Sequence, residues 1–199
     1  MNKKKIVIIG FGSIGRRHYK NIKKHFPKYL LFVVTSQKKI NNNFLNNLKS
    51  IIEIDPDFII ICNETNNHIK SFKFIEKNFN NLNVMIEKPI FEKKYSIKKI
   101  KNNYFVGYNL RYHPIINYLK NEMLSNKVIK INATCNSFLP SWRKNDYKLS
   151  YSASKNKGGG VLLDLSHEID YINYIFGNIK IKNSLINNLS KLKLKSEDS

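Results

Sequence analysis

Cysteine, arginine and acidic residues are all scarce in this chain, and each shortage closes off a class of protein. The 199 residues include only two cysteines, Cys62 and Cys135. Two are too few for a disulfide framework, and they lack the spacing of a metal-ligand set, so no metal site is expected. Long apolar runs are missing too: none approaches the roughly 18–20 residues of a membrane span. The basic start Met1–Lys5 leads only into the short run Ile6–Ile9, and a glycine turn follows where a secretory leader would carry a cleavage site. These shortages read as a soluble, cytoplasmic protein with no membrane partner.

Acidic residues number 14 against 35 lysines and arginines, for a formal net charge of +21. Only Arg16, Arg17, Arg111 and Arg143 are arginine, which leaves 31 lysines, and 29 residues are asparagine. Lys, Asn and Ile rise together when codons are AT-rich. The charge therefore reads as solvated surface lysine, with no nucleic acid as partner. Otherwise the composition is globular, 42% hydrophobic and 25% charged, enough for a packed core. The length suits one domain, or one domain and part of a second.

Ile6–Ile9 is a β-branched run of the kind buried on both faces of a sheet. Gly10-Phe11-Gly12-Ser13-Ile14-Gly15 follows at once, then a helical stretch carrying Ile14, Ile22 and Phe26 and stopped by Pro27. Leu30–Val34 is a second strand, completing a βαβ unit. The segment from Gln37 to Ser50 reads as loop plus a short helix. Beyond it come a strand at Phe58–Cys62, a helix over about Asn67–Asn78 and a strand at Val84–Ile86. A basic helix over about Tyr95–Lys101 and a strand at Tyr104–Tyr108 complete the alternation. Val128–Phe138 then alternates like a strand with one covered face, and Gly158-Gly159-Gly160 opens a helix that ends at Gly177. The fold class is α/β: a doubly wound parallel Rossmann sheet over residues 1–108, followed over 109–199 by a partial α/β domain with an open sheet.

The glycine turn has the strand before it and the helix after it that dinucleotide binding requires. Gly10 permits the turn, Gly12 leaves room for a pyrophosphate and Gly15 lets helix pack on strand. The phosphate would rest on the helix N-terminus; an ordinary glycine turn is the plainer alternative. An NAD-specific domain usually carries an acid about 20 residues further on. Here that stretch reads Thr35-Ser36-Gln37-Lys38-Lys39, whose hydroxyls and lysines suit a 2′-phosphate and lean the cofactor NAD(P) toward NADP, unless the lysines only follow the general bias. Glu87-Lys88-Pro89 ends a strand at the ligand-binding edge of such sheets, where a lysine can stabilise a developing alkoxide. Along the last helix, Leu162, Leu165, Ile169, Ile172 and Phe176 form a core stripe, while Asp164, His167, Tyr171 and Tyr174 share another face. A carboxylate at i, i+3 from an imidazole can orient it as a proton acceptor, although an ordinary polar face has the same pattern.

In this order the segments resemble the Gfo/Idh/MocA oxidoreductase family. The matching residues are Gly10–Gly15, then Cys62-Asn63-Glu64-Thr65 with His68, and Glu87-Lys88-Pro89. The match continues through Val106–Pro114 and from Gly158 through Asp164, His167 and Asp170. The loop with Trp142-Arg143, Asp146-Tyr147 and Tyr151-Ser152-Ala153 resembles members acting on nucleotide-linked amino sugars. The resemblance implies hydride transfer between NAD(P) and a secondary alcohol of a sugar or nucleotide sugar. It implies Lys88 and His167 as catalytic residues converging on one hydroxyl, with Asp164 nearby. It puts Asn63, Thr65, His68 and Glu87 beside the nicotinamide ribose, and gives Asn109, Arg111, Trp142 and Tyr147 to the substrate. Phe11, Ser13, Ile14, Thr35 and Ser36 complete the expected cofactor contacts. A C-terminal sheet would also carry homo-oligomer interfaces. The helix carboxylate and histidine stand three apart here, against four in the family. Family members are also usually longer, so the chain is expected to hold a truncated second domain and to be a weak enzyme or a silent cofactor-binding fragment.

Overall fold

The computed structural model describes residues 3–37, 41–142, 144 and 146–199. The roles expected of Lys38, Lys39 and Arg143 therefore fall outside the described residues. The chain divides into two compact units, Met1–Gly107 and Tyr108–Ser199.

The first unit runs β1 (Lys5–Ile9), α1 (Ser13–His25), β2 (Leu30–Val34), β3 (Phe44–Leu45), α2 (Ser50–Ile54), β4 (Phe58–Ile61), α3 (Thr65–Asn78), β5 (Asn83–Ile86) and β6 (Asn103–Val106). Every pairing is parallel and the strand order is β3-β2-β1-β4-β5-β6. Connections leave β1 toward one edge and β4 toward the other, so the switch point of the sheet lies between these strands. Ile9 stands level with Val34 and Ile61, Ile61 with Ile86, and Ile86 with Val106. The loops that follow these strands thus emerge along one edge.

Strand residues alternate between two cores. Val7, Ile9, Ile59, Ile61, Val84 and Ile86 pack with Ile51, Phe72 and Ile75 of α2 and α3. Ile6, Ile8, Leu31, Val33 and Ile60 pack on the other face with Phe11, Phe44 and the α1 residues Ile14, Tyr19 and Ile22. Helices on both faces explain why these strands read as unbroken apolar runs.

The helix expected over about Tyr95–Lys101 does not form; the connection from β5 to β6 is irregular. A short segment cannot offset helix nucleation unless a core receives its apolar face, and Ile97 and Ile100 are exposed. Glu76 of α3 holds the end of this connection instead. Its carboxylate accepts from the Lys101 N–H at 2.8 Å and from Asn102 Nδ2 at 2.8 Å.

The second unit contains α4 (Pro114–Glu122), α5 (Val161–Asp164) and α6 (Ser166–Phe176), with short 3-10 turns between. His113 caps α4, its Nδ1 accepting from the Ile115 N–H at 3.3 Å. Three sequence expectations are corrected here. Val128–Phe138 forms no strand and pairs with none among the described residues, because alternation makes a strand only where a neighbour takes its backbone groups. The expected open sheet is likewise absent among the described residues, where one isolated parallel bridge joins Ser154 and Lys195. The helix after Gly160 is broken at Leu165, whose φ of −101° and ψ of 19° separate α5 from α6. A non-helical residue resets the phase of a stripe, so Leu162 and Ile169 are exposed while Asp164 is 5% exposed.

No helix among the described residues is long and apolar enough to cross a membrane.

Candidate functional site

The turn after β1 is built from two tightly packed glycines and one open one. Gly10 has φ +102°, a region side-chain-bearing residues rarely adopt, and its N–H donates to the Val34 carbonyl at 2.8 Å. A methyl group added at Gly15 would stand 2.3 Å from the Gly10 carbonyl oxygen, so α1 can leave the sheet this closely only without a side chain there. A methyl group at Gly12 would meet nothing within 4 Å. The backbone is therefore crowded where helix meets strand and bare where an anion would approach the first N–H groups of α1. Ser13 is exposed and opens that helix, and Ile14 packs into the core below it. Phe11, expected as a cofactor contact, is a core residue. Its ring stands edge-on to Tyr19 and Phe44, leaving only its backbone to the turn.

At the end of β2, Thr35 is buried and its Oγ1 accepts from the Gln37 N–H at 3.1 Å. Ser36 is exposed. Arg16 of α1, which sequence reading passed over, donates from Nη2 to Gln37 Oε1 at 2.7 Å and lies 4.6 Å over the Phe11 ring. The strand end thus carries a guanidinium and an amide where many such domains carry a carboxylate.

At the end of β4, Asn63 Nδ2 donates to Ser71 Oγ at 3.1 Å. Its side-chain oxygen is buried with no hydrogen-bond partner in the protein, an uncompensated acceptor beside the glycine turn. A methyl group at Gly10 would stand 2.5 Å from the Asn63 nitrogen. Thr65 is buried at the first turn of α3. Its neighbour His68 is 1% exposed and is corrected from a cofactor contact to an internal brace. Its Nε2 lies 3.1 Å from the Asn63 carbonyl oxygen, and its Nδ1 lies 3.1 and 3.2 Å from those of Pro89 and Ile90. Burial lowers its pKa. The ring ties the loop after β4 to the loop after β5.

Lys88 follows β5 and is half-buried. Glu87, expected at the nicotinamide ribose, turns its carboxylate to His18 of α1, with Oε1 2.6 Å from Nε2. Neither Arg16 nor His18 was found by sequence reasoning; the only signal was their closeness to the glycine turn. Beneath the same turn, burial and then the Glu87 charge push the Cys62 thiol up to about 12, and its Sγ reaches the Gly10 carbonyl at 3.4 Å.

In the second unit, Arg111 is not free to serve a substrate with its whole fork. Its Nε and Nη2 bind Asp170 at 2.8 and 2.5 Å, fastening the turn Asn109–Tyr112 to α6, and this pairing raises its pKa. Asn109 is exposed. Trp142 donates from Nε1 to Ser137 Oγ at 2.5 Å, and Tyr147 Oη accepts from the Lys193 N–H at 3.3 Å. His167 Nε2 lies 3.2 Å from Oε1 of Glu168, a carboxylate the spacing argument overlooked in favour of Asp164. Glu168 also accepts from Tyr171 Oη at 2.6 Å and pushes that phenol up to about 12.

The comparisons with known proteins agree with this layout. Residues 4–104 match the model of an oxidoreductase family with an NAD-binding Rossmann fold. Residues 119–198 match that of its C-terminal α/β domain. Among solved structures, WlbA (WbpB) dehydrogenase of Thermus thermophilus in complex with NAD and UDP-GlcNAcA is 16% identical with a TM-score of 0.70, covering 98% of this chain and 72% of its own. WlbA of Bordetella pertussis with NADH and UDP-GlcNAcA is 14% identical with a TM-score of 0.76, covering 99% and 66%. GenD2 from gentamicin A biosynthesis with NAD is 16% identical with a TM-score of 0.70, covering 100% and 61%. At these identities the likeness is one of fold. No curated protein sequence matches the chain. Since the first family model alone spans more than half of its residues, the chain belongs to the Gfo/Idh/MocA family of oxidoreductases.

Proposed function

We propose that this chain is an NAD(P)-dependent oxidoreductase acting on a secondary alcohol of a sugar or nucleotide sugar, in the cytoplasm. The observation that carries the reading is the Gly10–Gly15 turn at the switch point of the sheet, closed at Gly10 and Gly15 and open at Gly12. The residues fit a dinucleotide: bare backbone at Gly12, N–H groups at the start of α1, and the unpartnered oxygen of Asn63 on the next strand end. When bound, a nicotinamide supplies or accepts the hydride.

The chain's own residues would do the rest. Lys88 would hold the reacting hydroxyl and stabilise charge on its oxygen. His167 would take up or return the hydroxyl proton, its imidazole supported by the Glu168 carboxylate and by Asp164. Asn63 and Thr65 would contact the ribose nearest the nicotinamide. Asn109, Trp142 and Tyr147 are proposed for the substrate, with Arg111 contributing the edge of its guanidinium that Asp170 leaves open. The absence of a carboxylate after β2 and the presence of Arg16 support NADP over NAD, because a guanidinium can accept a 2′-phosphate. The relatives' UDP-GlcNAcA makes nucleotide-linked amino sugars the first compounds to assay. A homo-oligomer built through the second unit belongs to the same proposal.

A second reading, binding without turnover, is favoured by the second unit's shortage of buried apolar residues, which are Ala153 and Ile175. A site must be held to well under 1 Å to catalyse. Titrating NADH and NADPH against protein fluorescence, followed by turnover on UDP-linked sugars, separates the two. Binding with turnover supports the first reading, binding without turnover the second, and no binding overturns both.

A further inference from the structure

We infer that His18 is a positioning residue, setting the Glu87-Lys88-Pro89 segment for the nicotinamide end of the dinucleotide by gripping the Glu87 carboxylate. The inference rests on the oxidoreductase reading above.

Gly15 and His18 lie three apart on α1, on the same helix face. Gly15 fixes where that face points, since it sits against the Gly10 carbonyl and the Cys62 thiol beside the ends of β1 and β4. His18 thereby reaches the end of β5, two strands from β1, and its Nε2 meets Glu87 Oε1 at 2.6 Å. The side chains are 20% and 14% exposed, so water screens the contact little, and a carboxylate left there without a donor would be costly. The other carboxylate oxygen is held by sterics. A methyl group at Gly107, just past β6, would stand 3.1 Å from Oε2. The backbone beneath is pinned as well, with the Glu87 N–H donating to the Ile61 carbonyl at 2.9 Å and the Gly107 N–H to that of Ile86 at 2.8 Å.

Glu87 is thus boxed between α1 and the end of β6, and Lys88 is the next residue. The same helix that opens at the proposed pyrophosphate site carries, one turn later, the group that fixes the segment bearing Lys88. Removing His18 frees the Glu87 side chain to turn toward water and loosens Lys88, while the glycine turn keeps its geometry.

The test compares two kinds of probe on the full chain: NADH and NADPH, which carry the nicotinamide, and ADP-ribose, which lacks it. His18→Ala should weaken the dinucleotides about tenfold and ADP-ribose less than about twofold. His18→Gln, which keeps a donor, should recover most of the loss. Glu87→Gln reads the same link from the other side and carries the test if His18→Ala does not fold. Adding it to His18→Ala should produce little further loss. Equal weakening of all three probes, no weakening of any, or additive losses in the double variant would overturn the inference and leave the oxidoreductase reading standing. A parent chain that binds none of the probes overturns that reading and the inference with it.

Discussion

The two units spend their apolar residues differently. Apart from Ala153 and Ile175, every buried hydrophobic residue of the described chain lies in the first unit, whereas Ile129, Leu124, Leu185 and Ile181 of the second are all exposed. Phe58–Ile61 and Val128–Phe138 are both apolar enough to be strands. The first lies between β1 and β5, which accept its backbone groups, while the second finds no pairing partner among the described residues. Periodicity offers a face, and a neighbour is needed to use it.

This contrast can be broken at several points. The largest effect concerns chemistry assigned to the second unit: His167→Asn should slow turnover by about 10²–10⁴-fold and leave dinucleotide affinity nearly unchanged. A variant with parental turnover would remove His167 from the proposed mechanism.

Each unit holds one cysteine, which gives a chemical version of the comparison. Thiolate is the reactive form. The Cys62 thiol is buried and pushed up to about 12, so raising the pH to 8 leaves it protonated in the folded chain. Cys135 is exposed, although partial burial and then Glu168 also raise its pKa. Iodoacetamide at pH 8 should label Cys135 faster by on the order of 10²-fold, read by mass spectrometry. Equal rates would mean that the first unit opens as readily as the second. The sign carries over to stability: above pH 9 the unfolded chain loses the Cys62 proton first, and the folded state is progressively destabilised.

Packing gives the next effect. Ile59→Ala, at a fully buried site, should cost about 2–5 kcal/mol in denaturant unfolding. Ile129→Ala, at 97% exposure, should stay within about 0.5 kcal/mol. Similar losses at both sites would show the second unit to be as well packed as the first.

The smallest effect sharpens the site within the first unit. Gly12→Val adds a side chain where the protein itself has nothing within 4 Å. The fold should survive by circular dichroism, while dinucleotide affinity should fall by at least about tenfold, or about 1.4 kcal/mol. Parental affinity in a folded variant would put the pyrophosphate elsewhere.

Much of the first unit was legible because its signals are local. A β-branched run reads as a strand, Gly-x-Gly-x-x-Gly after it as a tight turn into a helix, and Pro27 as the stop, each from the sterics of a few neighbouring residues. The helix expected near Tyr95 failed for a non-local reason, the capture of Lys101 and Asn102 by Glu76, 25 and 26 residues away. The stripe from Leu162 to Phe176 failed because one residue, Leu165, left helical geometry and shifted the phase of everything after it.

The sequence by itself determined the order of strands and helices in the first unit, the glycine turn at its switch point and the family to which the chain belongs. These follow from backbone sterics and from the periods of 2 and 3.6, which act over a few residues. Only the tertiary structure decided which side chains meet. His18 finds Glu87 across 69 residues and Arg111 finds Asp170 across 59. His68 turns inward to brace two loops, and Glu168 in place of Asp164 stands beside His167. Spacing along a chain fixes which face of an element a residue takes. What that face meets depends on where the sheet and its helices carry it, and no local signal encodes that.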